Sequence, residues 1–278
     1  MEVSTRATGI RPDRSERLKV LYTDLDGTLL GPGGSLFTAE GGGPTEAAAR
    51  ALLDLQAAGT ELVLMSGRTR RGLHEAARVL GASAYIAELG SLIVLDGGRE
   101  VLENRGAFEG LGSPVEAIAR SGAGALLLER FSGRLEPVAP WTETSMMFQG
   151  HVDRREAEAL LREAGFPWLA FHDNGRLRRR LPSLDVTEVH AYHLLPRGVT
   201  KATGVRLHME RTGRLAEQAA AIGDAPADLE VAAVVGRCFL VANGREALEG
   251  APLPPNVTVT AAPHGEGFAE AVRFLLAR

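Results

Sequence analysis

The sequence predicts an α/β protein with a parallel sheet core, helices on both faces of that sheet, and a second α/β unit inserted into it. Short apolar runs alternate with helical stretches near both ends of the chain, which is the pattern of a parallel sheet. The alternation breaks between about Gly97 and Pro196, where strands and helices mix differently. Gly97-Gly98 and Pro196-Arg197-Gly198 flank that stretch and read as hinges.

Taken in order, Leu18 to Tyr22 is an apolar run that reads as a buried strand. Pro44 to Ala58 is alanine-rich with apolar positions at Ala47, Leu52 and Leu55, and predicts a helix; Gly31 to Gly34 and Gly41 to Gly43 before it read as loop and flap. Glu61 to Met65 follows as a strand, Thr69 to Leu80 as a helix, and Ala84 to Ala87 and Leu92 to Leu95 as short strands. After the insertion come a helix from Lys201, a strand at Ala219 to Ile222, a helix at Ala227 to Val235, strands at Cys238 to Val241 and Val257 to Thr260, and a helix at Gly267 to Leu276. Within the insertion, strands are expected at Leu126 to Glu129, Trp168 to His172 and Val186 to Leu194, and helices at Pro114 to Arg120 and Arg154 to Ala164. The expected division is a tail at 1–17, a core formed by 18–97 with 197–278, and a cap at 98–196, the last of ordinary domain size.

Composition narrows the functional classes. With 278 residues, 45% hydrophobic, the chain can bury a substantial core. A net charge of -4 argues against a nucleic-acid surface, which needs clustered positive charge. No apolar run reaches the roughly 20 residues that span a bilayer, and the polar, Arg-rich start lacks the apolar centre of a signal peptide, so a cytoplasmic location without membrane contact is expected. Cys238, the single cysteine, sits beside Phe239 and Leu240 and reads as a buried thiol without a redox role. Of 31 basic residues only Lys19 and Lys201 are lysine, so a lysine here invites a chemical reason.

Asp24-Leu25-Asp26-Gly27-Thr28 is the densest chemical signal. On a strand residues two apart point the same way, so Asp24 and Asp26 are expected to share one face, and two carboxylates so close need a cation between them or a retained proton. One can act as nucleophile on phosphorus and the other as general acid and base. Gly27 permits a sharp turn, and the Thr28 hydroxyl can hold a carboxylate or meet substrate; an isolated Asp-Gly is an ordinary turn. Ser66-Gly67-Arg68, between a strand and a helix, offers a hydroxyl, backbone amides and a guanidinium to an anion, or simply caps the helix. Lys201 in Gly198-Val199-Thr200-Lys201 can balance charge on a transferring phosphoryl group. In Gly223-Asp224-Ala225-Pro226-Ala227-Asp228, Asp224 suits Mg²⁺, while Asp228 can reach the ion through water, orient Lys201, or stabilise a helix start.

Asp-x-Asp-Gly-Thr, Ser-Gly-Arg, Gly-Val-Thr-Lys and Gly-Asp-x-x-x-Asp, in this order, resemble the four motifs of the haloacid dehalogenase superfamily, in particular its Cof-like, sucrose-phosphatase and mannosyl-phosphoglycerate phosphatase branch. The resemblance implies a Rossmann-like core with an α/β cap and a Mg²⁺-dependent phosphomonoester hydrolase acting on a small phosphorylated metabolite, such as a sugar phosphate or phosphoglycerate derivative. It implies Asp24 as nucleophile, Asp26 as acid and base, and Lys201 with Ser66, Gly67, Arg68 and Thr28 around the phosphoryl group. Asp24, the Asp26 carbonyl, Asp224 and Asp228 are then the metal-site residues. Two positions depart from the branch: Ala227 where relatives have Asn, and Glu88-Leu89-Gly90 where relatives commonly have Asn-Gly. These departures leave a non-catalytic phosphosugar-binding regulator as one alternative, and a phosphomutase of similar architecture is another.

The cap is expected to set specificity. Arg176, Arg178, Arg179 and Arg180 form either an anion contact or a solvated strand face, and Asp173-Asn174-Gly175 predicts a hairpin turn. His190 and His193 lack metal-ligand spacing and read as packing or surface groups. Trp141, Met146, Met147 and Phe148 line either a sugar pocket or the cap core.

Overall fold

In the computed structural model, which describes residues 17–139, 142–177, 179–248 and 252–277, the first strand, β1 (Val20–Thr23), is buried on both faces. It lies inside an eight-stranded sheet with β2 (Glu61–Met65), β3 (Ala84–Ala87), β4 (Leu92–Leu95), β5 (Glu100–Glu103), β10 (Ala219–Gly223), β11 (Arg237–Leu240) and β12 (Val257–Val259). The order is β12-β11-β10-β1-β2-β3-β4-β5. Pairings from β12 through β3 are parallel, and β4 and β5 add an antiparallel edge. Successive β1 side chains point to opposite faces. Leu21 joins a layer with α1 (Ala47–Ala57), α2 (Arg70–Leu80) and α8 (His264–Leu276), whereas Val20 and Tyr22 join one with α6 (Lys201–Thr212). Asp24 continues the parity of Val20 and Tyr22 toward the α6 side. The chain leaves β1 for β2 on one flank and returns through β10 on the other, so a crevice opens beyond the carboxyl ends of β1 and β10.

The second sheet is antiparallel, in the order β6-β7-β9-β8: β6 (Leu135–Pro137), β7 (Met146–Gly150), β9 (Val189–Pro196) and β8 (Leu169–Leu177). Its own apolar cluster includes Phe148, Phe171, Tyr192 and Leu194, covered by α3 (Pro114–Ser121), α4 (Ala123–Arg130) and α5 (Arg154–Glu163).

Several expectations are corrected. Leu126 to Glu129 lies in α4, because Ala123, Leu127 and Phe131 are buried at a spacing of four and the apolar face is helical. The large sheet continues through β5, whose half-exposed, charged sequence hides an edge strand; Gly97-Gly98 form the turn before it, and the chain crosses to the second sheet near Gly106, where Ala107 N donates to Arg197 O at 2.7 Å. Ala227 to Val235 divides into α7 (Pro226–Leu229) and a 3₁₀ turn at Glu230–Ala233. Asp173-Asn174-Gly175 is an irregularity inside β8, with a register shift between Asp173 and Arg176, rather than a hairpin turn. Sequence periodicity missed β6 and β7. Residues 1–16, Trp141 and Arg178 lie outside the described residues, as do the expectations attached to them.

Phe148, fully buried, and Met146 pack within the cap-side cluster, so neither lines a sugar pocket; Met147 is on the opposite face of β7. Phe148→Ala should lower the free energy of unfolding by ~3–5 kcal/mol, measured by urea denaturation. A loss of substrate affinity at unchanged stability would instead place Phe148 in the pocket.

Candidate active site

β1 ends at Thr23, and the chain turns before a strand geometry can align the two aspartates. Asp24 stays in the sheet, donating its N–H to Ile222 O at 2.9 Å, and is buried. Asp26 points outward, its side chain about half exposed. The shared face expected for these carboxylates is therefore absent, and each has its own cation. Lys201 Nζ lies 2.6 Å from Asp24 Oδ1, while Arg68 grips Asp26 with Nε and Nη2 at 2.7 and 2.6 Å. Gly27, directly after Asp26, has φ +90°, and a Cβ there would fall 2.2 Å from Asp224 Oδ2, so only glycine fits.

Lys201 opens α6 behind a capping box in which Thr200 and Thr203 bond each other's backbone N–H groups. Its ammonium also donates to Asp228 Oδ1 at 2.7 Å, and it is only 4% exposed. Burial opposes this charge, but Asp228 and Asp24 outweigh it and hold the ammonium above the usual lysine range. The other Asp228 oxygen accepts from Asp224 N and Ala225 N at 3.1 and 3.0 Å. Asp228 thus orients Lys201 and shapes the loop after β10, leaving no oxygen without a partner.

Asp224 accepts from Thr28 Oγ1 at 3.1 Å, so Thr28 holds a carboxylate here. Burial, reinforced by Asp228, pushes the Asp224 carboxyl up to about 6, and burial likewise drives Asp24 well above the usual carboxylate range against the pull of Lys201. Asp24, Asp224 and Asp228 bring oxygens within 4.8 Å of one another. Three carboxylates face one ammonium in a buried pocket, and hard oxygen donors with surplus negative charge fit a divalent cation such as Mg²⁺. Asp24 Oδ2 has no protein hydrogen-bond donor among the described residues.

Ser66 ends the extension of β2, its N–H bonded to Ile86 O, and its hydroxyl accepts from Arg68 N at 3.2 Å. The helix cap is Thr69, one residue past the motif, so Ser66-Gly67-Arg68 forms the loop over the crevice. Asn174 reaches this loop from β8: a Cβ on Gly67 would lie 2.1 Å from its Nδ2.

Sequence reasoning assigned no role to Asn243, His264, Glu88 or Asn174, although Glu88-Leu89-Gly90 stands out as a departure and Asp173-Asn174-Gly175 as a turn. Asn243 Nδ2 donates to Gly27 O at 2.9 Å and approaches Asp224 Oδ2 at 3.4 Å; His264 Nδ1 is 2.8 Å from the same Gly27 carbonyl. Both brace the turn that follows Asp26. Elsewhere, Arg176 pairs with Glu188, Arg179 bonds Gln149, and Arg180 is exposed, as on a solvated face. His193 is fully buried against Ser145 with its pKa pushed down by burial to about 3. His190 meets His151 and Glu188, but Asp173 and Arg176 already pair with His190 and Glu188. Cys238 is buried, its pKa raised by burial to about 12, as expected of an inert thiol.

A model of the haloacid dehalogenase-like hydrolase family matches residues 21–110 and 175–253. The chain belongs to the haloacid dehalogenase-like hydrolases. This hydrolase is 30% identical over 188 residues to a phosphoglycolate phosphatase of Natronomonas pharaonis, covering 67% of this chain and 71% of the relative. It is 27% identical over 266 residues to a phosphoglycolate phosphatase of Methanoculleus marisnigri, covering 92% and 96%. Its fold is shared with the sucrose-phosphatase of Synechocystis, solved with sucrose and phosphate, at TM-score 0.64, 16% identity, and coverage of 93% of this chain and 98% of the other. A member of the same superfamily from Bacteroides thetaiotaomicron gives TM-score 0.66, 18% identity, and coverage of 97% and 99%.

The surplus of carboxylates yields a prediction for this hydrolase in EDTA. A carboxyl whose pKa is raised on folding loses stability as pH climbs from its unfolded value through about 6, so at pH 7.5 the penalty is fully present. Asp224→Asn should therefore raise stability in EDTA at pH 7.5 by about 1–3 kcal/mol and abolish further stabilisation by Mg²⁺, as followed by urea denaturation. A destabilised variant that still responds to Mg²⁺ would contradict this account.

Proposed function

We propose that this hydrolase is a cytoplasmic Mg²⁺-dependent phosphomonoester phosphatase that works through an aspartyl phosphate. Family membership and the phosphatases among its relatives make the chain a phosphatase. The observation that carries the mechanism is the division between the aspartates: Asp24 is buried and fixed by Lys201, while Asp26 stands at the crevice mouth on Arg68.

In this reading Asp24 Oδ2 attacks phosphorus, and Asp26, as general acid, delivers a proton to the departing alcohol oxygen as the P–O bond breaks. Asp26 then takes a proton from the water that attacks the aspartyl phosphate, which restores the Asp24 carboxylate and releases inorganic phosphate. Ser66, the amides of the Gly67 loop, Arg68 and Lys201 hold the phosphoryl oxygens. Mg²⁺, held by Asp24, Asp224 and the Asp26 carbonyl, supplies further neutralisation of the phosphoryl charge. Asp228 and Thr28 act at one remove, through Lys201 and Asp224.

The four-stranded unit between Asn104 and Val199 is the cap, and Asn174 is its contact with the phosphate loop. The substrate is a small phosphorylated metabolite, with phosphoglycolate the first candidate because relatives bear that name and sugar phosphates the second.

The test is inorganic phosphate release from phosphoglycolate, phosphoglycerates, sugar phosphates and para-nitrophenyl phosphate. Asp24→Asn and EDTA should each abolish release, with Mg²⁺ restoring the EDTA-treated wild type. Asp26→Asn should lower kcat by ~10²–10⁴-fold. Full activity of Asp24→Asn would sink the nucleophile assignment, and isomerised phosphate in place of inorganic phosphate would mark a mutase.

A further inference from the structure

Glu88 is a buried carboxylate that the mechanism above does not use. It follows β3, it is 0% exposed, and it lies at the sequence position where the chain departs from its branch. Both Glu88 and Leu89 adopt left-handed backbone, at φ 50° and 58°, with no glycine to ease it. Such strain persists where surrounding contacts over-determine it.

Those contacts run in two directions. Toward the phosphate loop, Glu88 N donates to Arg68 O at 3.0 Å and Leu89 N to Ser66 O at 3.1 Å. Toward the cap, the Glu88 side chain accepts three hydrogen bonds: Glu143 N on Oε1 at 2.9 Å, and Thr144 N and Thr144 Oγ1 on Oε2 at 3.0 and 2.7 Å. Burial pushes the Glu88 carboxyl above its ordinary value, against these bonds. Leu89 packs on Leu195 and Val199 at the cap junction, and Arg70 pairs with Glu143 at 2.8 Å beside the clasp. A single side chain therefore ties the cap segment before β7 to the backbone that shapes Ser66-Gly67-Arg68.

We infer that Glu88 is a positioning residue that sets the register of the cap on the phosphate loop, and so places Asn174 over Gly67 for recognition of the non-phosphate part of the substrate. This rests on the phosphatase reading above. The carboxylate offers acceptors to three donors, and no other side chain type does so at this volume: Gln would turn an NH₂ toward an N–H.

The test uses Glu88→Gln, Thr144→Val and the double variant, with the best substrate of the phosphomonoester panel. Each single variant should raise KM, by about tenfold for Glu88→Gln, with kcat within about threefold, since small displacements of a positioning group cost rate or affinity steeply. The double variant should be no worse than Glu88→Gln alone, because both act on one contact. Inhibition by inorganic phosphate should change less than twofold, because Ser66, Arg68 and Lys201 keep their partners. Amide hydrogen exchange at Glu143 and Thr144 should quicken in Glu88→Gln, a readout that holds whether or not the chain turns over phosphomonoesters. If wild type were inactive, the function would fall and exchange would still decide the clasp. Faster exchange with unchanged KM would overturn the positioning role, as would additive losses in the double variant, and unchanged exchange would overturn the clasp. If Glu88→Gln does not fold, Thr144→Val decides, by the same rise in KM or its absence.

Discussion

One ammonium holds the site together. Lys201 enters at the first position of α6, passes behind the sheet edge, and meets Asp24 after β1 and Asp228 after β10. Asp228 in turn secures the two amides that follow β10, so three chain segments distant in sequence are fixed around a single buried charge. A buried ion pair contributes little net stability, since desolvation offsets its attraction, but it is specific about geometry. Here that geometry is the position of Asp24. A chain that otherwise uses arginine almost throughout has a lysine at this point, where a compact charge on a long stem reaches between two carboxylates as a planar guanidinium would not.

The same logic separates the two aspartates. Two residues apart, they would repel if held on one strand face, and the chain avoids this by leaving strand geometry after Thr23, with Asp24 buried and Asp26 turned out. Asp24 is locked to its cation away from water, while Asp26 shares Arg68 at a mouth open to solvent. Asn243 and His264 hold the Gly27 carbonyl and keep the turn in place.

What was legible in the sequence follows from how local each signal is. β1, β2, β3 and β4 are short apolar runs, and the chemistry at their ends is written in adjacent residues such as Asp24, Ser66 and Arg68. Lys201 and Asp224 were found because composition and spacing singled them out. α4 was misread because Leu126, Leu127 and Leu128 form a continuous apolar run, and only the burial of Ala123, Leu127 and Phe131 reveals its helical period. β5 was missed because an edge strand needs no apolar alternation, and β6 because three residues carry no period. Asn243 carries no local pattern, and the patterns at Glu88 and Asn174 do not reveal their partners: each acts on a segment 50 or more residues away, where only the folded chain brings a partner.

Glu88 also shows why a departure from a family pattern does not imply loss of the site. The left-handed seat at residues 88 and 89 is one that Asn or Gly adopts with less strain, and this chain fills it with Glu and Leu. Leu89 gains apolar contact with Leu195 and Val199, and Glu88 gains three donors from the cap. The strain is thus offset by contacts that exist only when the two sheets are in register. The residues proposed to hold phosphate belong to the large sheet, and Glu88 joins their loop to the segment before β7. Selectivity in such an arrangement depends on the fixed relation between the sheets as much as on the side chain at the pocket wall.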